Sequence, residues 1–245
     1  MKKEISIKRL HNGEYIDEII SMHKELFNNT ELYGKLIYFD EAYESFFKVL
    51  LNDENHFIFG VFLNNNICGF VHLRNIHQVL FLNNIYLAEV LRGNGMGTDI
   101  LEEILNMSFI KENNFVNMEL DVLQSNVRAV KWYEKLGLNQ SSTHTWYVVE
   151  KLYKTKKLDF KVDYDPNCFK SIFLNNTKVA TIINNSYINL HDMIGIDFES
   201  NLPFIIKQET MRNRKGVNFF EFETSIRMES CISDIIKNIN YIKNA

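Results

Sequence analysis

Cysteine is scarce in this chain of 245 residues: Cys68, Cys168 and Cys231 are its only three, scattered and without CxxC or metal-ligand spacing. A disulfide framework is excluded, and the pattern suits reduced thiols acting as small core residues in a cytoplasmic protein. Long apolar runs are lacking as well. Nothing approaches the roughly 18 residues of a membrane span, and Met1-Lys2-Lys3-Glu4 leads into an alternating strand rather than a signal-peptide core. Nor is there an excess of either charge: a net charge of -4 gives no bulk attraction to nucleic acid or to an anionic membrane. His56, His72 and His77 sit near strands without ligand spacing, so structural histidines and no metal are expected. What is abundant is apolar surface. A hydrophobic share of 46%, with 19 Phe and 11 Tyr, suffices for more than one core in a chain longer than one typical domain.

The stretch from Phe81 to Glu103 organises the rest. Phe81, Leu82, Ile85 and Leu87 form an apolar strand that runs into Leu91-Arg92-Gly93-Asn94-Gly95-Met96-Gly97, after which Met96, Ile100, Leu101, Ile104 and Leu105 recur at helical spacing. Glycines at 93, 95 and 97 allow close backbone approach, and the first-turn N–H groups of the helix add about half a positive charge. The loop is therefore an anion cradle. No Lys follows Gly97, which excludes a P-loop, and the Gly-x-Gly-x-Gly run fits the dinucleotide pattern poorly.

A second signature follows. Val116 to Val122 reads as a strand and Asn126 to Leu136 as a helix, capped by Ser125 or Asn126 and stopped by Gly137. Arg92, Gly95 and Gly97 match Arg-x-x-Gly-x-Gly/Ala, and Asn126, Ala129, Tyr133, Gly137 and Leu138 match Asn-x-x-Ala-x-x-x-Tyr-x-x-x-Gly-Phe with Leu for Phe. Together they resemble the GCN5-related N-acetyltransferases over Met1 to Tyr153. The run Leu120-Asp121-Val122-Leu123-Gln124-Ser125-Asn126 is similar to Leu-Glu-Val-x-x-Ser-Asn of the ribosomal-protein N-terminal acetyltransferases. The usual Pro after the strand is replaced by Glu89.

The resemblance implies an acyl-CoA N-acyltransferase fold of α/β (α+β) class: a central mixed, mostly antiparallel sheet flanked by helices, over residues 1–153. It implies acetyl-CoA as co-substrate and an amine, small molecule or peptide, as acceptor. Arg92, Gly93, Asn94, Gly95, Met96, Gly97 and Thr98 would hold the diphosphate, with Asn126 and Ala129 alongside. Tyr86 and Leu87 would offer backbone groups to the pantetheine arm, and one N–H there could polarise the thioester carbonyl. Tyr133 would protonate the departing thiolate. Asn83 and Asn84 stand where many relatives carry a Glu, so Asp121 is a candidate base, or equally a carboxylate that binds the acceptor. The rival reading is an acyl-CoA-binding sensor or scaffold without turnover.

Earlier in the chain, Glu4 to Arg9 reads as a strand and Tyr15 to Phe27 and Asp40 to Leu51 as amphipathic helices. Between them Tyr33, Tyr38 and Asp40 are either acceptor contacts or ordinary loop packing. His56 to Leu63 and Ile67 to Leu73 form a hairpin around Asn64-Asn65-Asn66.

A smaller C-terminal α/β domain is expected over 154–245, after a Lys-rich linker from Lys151 to Lys157. Ile172-Phe173-Leu174-Asn175-Asn176 echoes Val61-Phe62-Leu63-Asn64-Asn65, and Val217-Asn218-Phe219 echoes Val116-Asn117-Met118. The block is either a degenerate copy of the acetyltransferase half or an unrelated appendage. Arg212, Arg214 and Lys215 cluster in a turn that is solvated or meets a nucleotide or acidic partner. Monomer and homodimer are both open.

Overall fold

A computed structural model of the chain describes residues 5–152, 160–191, 201–209 and 217–244. The chain forms two compact units that interleave in sequence. The first contains Met1–Leu26, Lys48–Ser142 and Ile226–Ala245, and the second Phe27–Phe47 and Thr143–Ser225. The chain thus leaves the first unit at Ser142 and re-enters it at Ile226, rather than dividing once near residue 153. The reason is apolar. The final helix has Ile232, Ile235 and Ile239 on one face, at most 5% exposed and inside the first unit's core.

In the first unit, β1 (Ile5–Arg9), α1 (Ile16–Glu25), the end of α2 (Tyr43–Leu50), β2 (His56–Leu63), β3 (Asn66–Ile76), β4 (Val79–Leu87), α3 (Met96–Leu105), α4 (Ser108–Glu112), β5 (Asn117–Leu123) and α5 (Val127–Lys135) follow in order. The start of β6 (Asn139–Leu152) comes next, and the end of β12 (Val217–Cys231) and α6 (Ile232–Asn244) complete the unit. Its strands run in the order β1-β2-β3-β4-β5-β12, with β1 through β4 antiparallel and β4 parallel to β5. Two-residue turns join the meander. Asn64 and Asn65 have φ of 49 and 66°, and His77 and Gln78 of 50 and 69°, the doubly positive φ of a type I′ turn that matches strand twist.

The core of this unit lies between β2–β5 and the helices α3, α4, α5 and α6. Phe57 stacks on Phe109 at 4.7 Å, and Ile100, Leu101, Ile104 and Leu105 of α3 are at most 2% exposed.

The second unit carries β6 onward into β7 (Phe160–Tyr164), β8 (Lys170–Leu174), β9 (Thr177–Ile183), β10 (Tyr187–Leu190) and β11 (Phe204–Gln208), in the order β6-β11-β10-β9-β8-β7. Only β10 and β11 pair in parallel; β6–β11, β9–β10, β8–β9 and β7–β8 are antiparallel. Among the described residues from 160 to 225 every regular element is a strand. The first echo is a true structural one: Asn175 and Asn176, φ 50 and 64°, turn β8 into β9 as Asn64 and Asn65 turn β2 into β3. The second opens β12 as it opens β5. Residues 153–157 of the expected linker, and the cluster of Arg212, Arg214 and Lys215, lie outside the described residues.

Because Ile235 is fully buried in the first unit and Ile242 is 40% exposed, their truncations should differ. Ile235→Ala should lower unfolding free energy by about 2–5 kcal/mol in urea denaturation, and Ile242→Ala by no more than about 0.5 kcal/mol. Equal effects would remove α6 from that core.

Candidate functional site

The site begins where two strands part. Parallel pairing of β4 with β5 covers only Leu80↔Met118, Phe81↔Glu119 and Leu82↔Leu120, while both strands continue beyond it. On the other side β4 stays paired with β3 as far as Gly69↔Leu87, but the register slips so that His72 faces Asn84 and Leu73 faces Leu82. Asn83 is the extra residue. A bulge of this kind bends a strand and re-aims its backbone, which opens a cleft edge along Ile85, Tyr86 and Leu87.

From Leu87 the chain passes through a 3₁₀ turn, Glu89–Leu91, and reaches α3 through Arg92 to Gly95. Gly93 and Gly95 have φ of 102 and 77°, and a Cβ added at either would meet nothing within 4 Å. The loop therefore needs glycine for its backbone and leaves the space above it open. The N–H groups of Thr98 and Asp99 bond to the Gly95 carbonyl. Those of Gly93, Asn94, Gly95, Met96 and Gly97 have no backbone or side-chain acceptor among the described residues. Five adjacent donors at a helix start are an anion site in waiting.

The partners of the loop are now visible. Trp132 of α5 lies 3.3 Å from where a Gly97 Cβ would stand, and its indole N–H donates to Thr98 Oγ1 at 3.0 Å. A side chain at Gly97 would press on Trp132, which would have to give by a few tenths of an ångström, and Thr98 serves α5. Arg92 Nε donates to the Leu87 carbonyl at 2.6 Å, and its guanidinium sits 5.4 Å from the Tyr86 ring. The Tyr86 hydroxyl donates to Glu25 of α1; burial, reinforced by that carboxylate, raises its pKa.

Asn126 caps α5, its Oδ1 accepting from Ala129 N–H at 3.1 Å, while Ala129 packs against the core. Gly137 closes α5 with φ 86°, and the Gly137→Glu134 and Leu138→Tyr133 backbone bonds form a Schellman motif. Tyr133, 6% exposed, lies 4.7 Å from Trp132, and its hydroxyl has no hydrogen-bond partner among the described residues. Burial pushes its pKa up, so the phenol stays protonated at any physiological pH.

Asp121 meets a geometry different from that expected of a base. Arg227 of β12 donates to it through Nε at 2.5 Å and Nη2 at 3.1 Å, and to Glu119 through Nη1 at 3.0 Å. The Asp121 hydrogen bond, ahead of the other contacts, holds the guanidinium pKa above its usual value. The bidentate pairing ties Asp121 of β5 to β12. Tyr33 is exposed and edges Phe39 at 4.9 Å, Tyr38 stacks on Phe27 at 5.4 Å, and Asp40 accepts from the N–H groups of Ala42 and Asn184. Packing roles are what these three show.

Sequence reasoning missed Glu25, Trp132 and Arg227. Trp132 adjoins the motif tyrosine and could have been flagged by its position; Glu25 and Arg227 carry no local signal. It also missed a polar chain at the bulge. His56 Nδ1 lies 2.8 Å from His72 Nε2, Asn83 Nδ2 lies 3.4 Å from His72 Nδ1 and donates to Asn84 Oδ1 at 2.6 Å, and Asn84 hydrogen-bonds His23. His23 Nδ1 bonds to the Ile19 carbonyl at 3.0 Å. Burial lowers the His23 pKa to about 3 and the His72 pKa well below 6.5.

Residues 17–138 match the model of the acetyltransferase (GNAT) family, and over this segment the chain belongs to that family. An N-acetyltransferase from Staphylococcus aureus Mu50 has the same fold, at 11% identity and TM-score 0.53 over 94% of this chain and 99% of that one. So does a spermidine N-acetyltransferase chimera of Vibrio cholerae SpeG and hSSAT, at 16% identity and TM-score 0.51 over 95% and 98%. A PaiA N-acetyltransferase from Thermoplasma acidophilum in complex with coenzyme A shares 17% identity, with TM-score 0.49 over 57% and 92%. The family and fold expected from the two motifs are borne out. Among the described residues no helix is long and apolar enough to cross a membrane, and no group of three or more His, Cys, Asp or Glu is placed to hold a metal.

Two buried neutral imidazoles make stability depend on pH. In the unfolded chain they protonate near pH 6.5, whereas in the fold they resist protonation, His23 down to about 3. The unfolded state therefore binds more protons below 6.5, and stability falls as pH drops, by up to about 1.4 kcal/mol per pH unit per histidine. The urea midpoint should decrease from pH 7 to pH 5, and His23→Gln should flatten that slope. A midpoint independent of pH would contradict the burial.

Proposed function

We propose that the protein is an N-acetyltransferase that moves an acetyl group from acetyl-CoA to a primary amine by direct attack on the thioester. The reading rests on the five unpartnered amides from Gly93 to Gly97, open on one side and set at the start of α3. A diphosphate supplies the acceptors they lack, and no side chain in the loop competes for them. Arg92, at the loop's entry, adds a cation.

With the diphosphate held there, the pantetheine arm runs along the edge of β4 left free beyond Leu82. Backbone N–H groups at Tyr86 or Leu87 receive the thioester carbonyl and the oxyanion that forms on attack. The neutral amine nitrogen bonds to the carbonyl carbon, the carbon–sulfur bond breaks, the thiolate takes the proton of the Tyr133 phenol, and the proton shed by the nitrogen passes to solvent, from which the phenolate of Tyr133 is reprotonated. That hydroxyl is protonated and has no competing partner. Asn126 and Ala129, alongside the loop, also set the start of α5, which carries Tyr133.

A specific observation favours the second reading, an acyl-CoA sensor or scaffold: Asn83 and Asn84 occupy the bulge, and Asp121 is committed to Arg227. One assay separates the two. The full chain is incubated with acetyl-CoA and a panel of spermidine, an aminoglycoside and short peptides, and free thiol is measured. Acceptor-dependent release that falls by about 10²–10⁴ in Tyr133→Phe supports the enzyme. Binding without release in any member of the panel supports the sensor.

Coenzyme A at a hundred times its Kd should stabilise the fold by about 2.7 kcal/mol. Gly95→Val should abolish the corresponding melting shift, because a branched side chain at positive φ both strains the loop and fills the cradle. A full shift in this variant would put the cofactor elsewhere.

A further inference from the structure

The sheet of the second unit ends on a strand whose sequence is complementary to itself. We propose that β7 is a dimer interface, at which two copies of this chain pair their Phe160–Tyr164 strands antiparallel about a two-fold axis at Val162. The inference does not depend on the acetyltransferase reading.

The strand has one partner and one open side. β7 pairs with β8 from Phe160↔Leu174 to Tyr164↔Lys170, and among the described residues no strand lies on its other side. Where the hairpin closes, Asp165 N–H donates to the Phe169 carbonyl at 3.0 Å, and antiparallel bonding alternates, so Asp163 and Lys161 are the residues that exchange backbone bonds with β8. The N–H and C=O groups of Phe160, Val162 and Tyr164 point the other way. Consistent with this, the Tyr164 N–H donates to the side chain of its own neighbour, Asp163 Oδ1, at 2.9 Å.

The side chains divide between two faces. Phe160 packs against the second unit's core, and Val162 and Tyr164 share its face by alternation but are 52% and 70% exposed. The apolar face thus runs on past the edge of that core. Lys161 and Asp163 occupy the opposite face, both exposed, and form an ion pair along the strand.

This order of residues selects the occupant. Rotation about Val162 sets Val162 against its own copy and Phe160 against Tyr164 of the second copy, which extends the apolar face across the axis with two aromatic cross-strand pairs. It also sets Lys161 against Asp163 of the second copy, twice. These charged pairs fall at the non-hydrogen-bonded positions, where Cα atoms approach to about 4.5 Å and side chains meet most closely. The outward backbone groups of Phe160, Val162 and Tyr164 supply the ladder between them. β1, the outer strand of the first unit, is built otherwise: Lys8 and Arg9 are exposed there with no acid to match them, a usual guard against edge pairing.

The test is the mass of the full chain by sedimentation velocity at about 100 μM, where a micromolar Kd leaves a dimer predominant. Wild type should sediment as a dimer. Lys161→Asp and Asp163→Lys should each sediment as monomers, because either change sets like charges opposite one another twice. Mixed in equal amounts, the two variants should recover the dimer, since the acids of one then face the cations of the other; recovery also shows that neither variant has lost its fold. A monomeric wild type overturns the proposal, whatever other strand β7 might accept. So does a dimer that survives in both single variants, which puts the interface elsewhere, and so does a mixture that stays monomeric.

Discussion

A helix start has donors it cannot use, and this chain arranges that five of them lie side by side with nothing above. From Gly93 to Gly97 the backbone is turned by positive φ at two glycines, and its N–H groups have no acceptor among the described residues. Several parts of the first unit hold that turn. The apolar face of α3 anchors the helix to the sheet, Trp132 braces it at Gly97 and Thr98, and Arg92 ties its entrance to the Leu87 carbonyl. The parting of β4 and β5 after Leu82 and Leu120 then supplies a path away from it.

The arrangement divides labour between backbone and side chain. The glycine loop presents amides and a shape that any sequence with the right glycines can provide. A few side chains have their charge set by their surroundings: burial keeps Tyr133 protonated and His72 and His56 neutral, and Asp121 pairs with Arg227.

Much of this was legible in advance because it is local. The strand, the glycine loop and the helix from Met96 follow from alternation, from positive-φ residues and from helical spacing, and Asn126 and Gly137 mark the ends of α5 as capping chemistry requires. What was not legible is what joins distant segments. Arg227 and Asp121 are 106 residues apart, and no periodicity reports their meeting. The same holds for α6: its isoleucine stripe shows that it packs, but not that it packs into the unit begun by β1. A division drawn along the sequence at 153 and 154 follows composition, whereas the compact units follow long-range strand and helix contacts. The histidine chain escaped for a further reason. Three separate elements contribute His23, His56 and His72, and only the slip at Asn83 brings Asn84 and His72 to one level.

The central claim is that the amides of residues 93–97 bind the diphosphate of coenzyme A. Titrating the ¹⁵N-labelled full chain with coenzyme A and following backbone amide resonances tests it directly. Large shifts confined to residues 93–98, with a second group at 85–87 on the free edge of β4, are the expected result. Saturating coenzyme A that leaves those resonances in place, or moves only a distant set, would contradict the account.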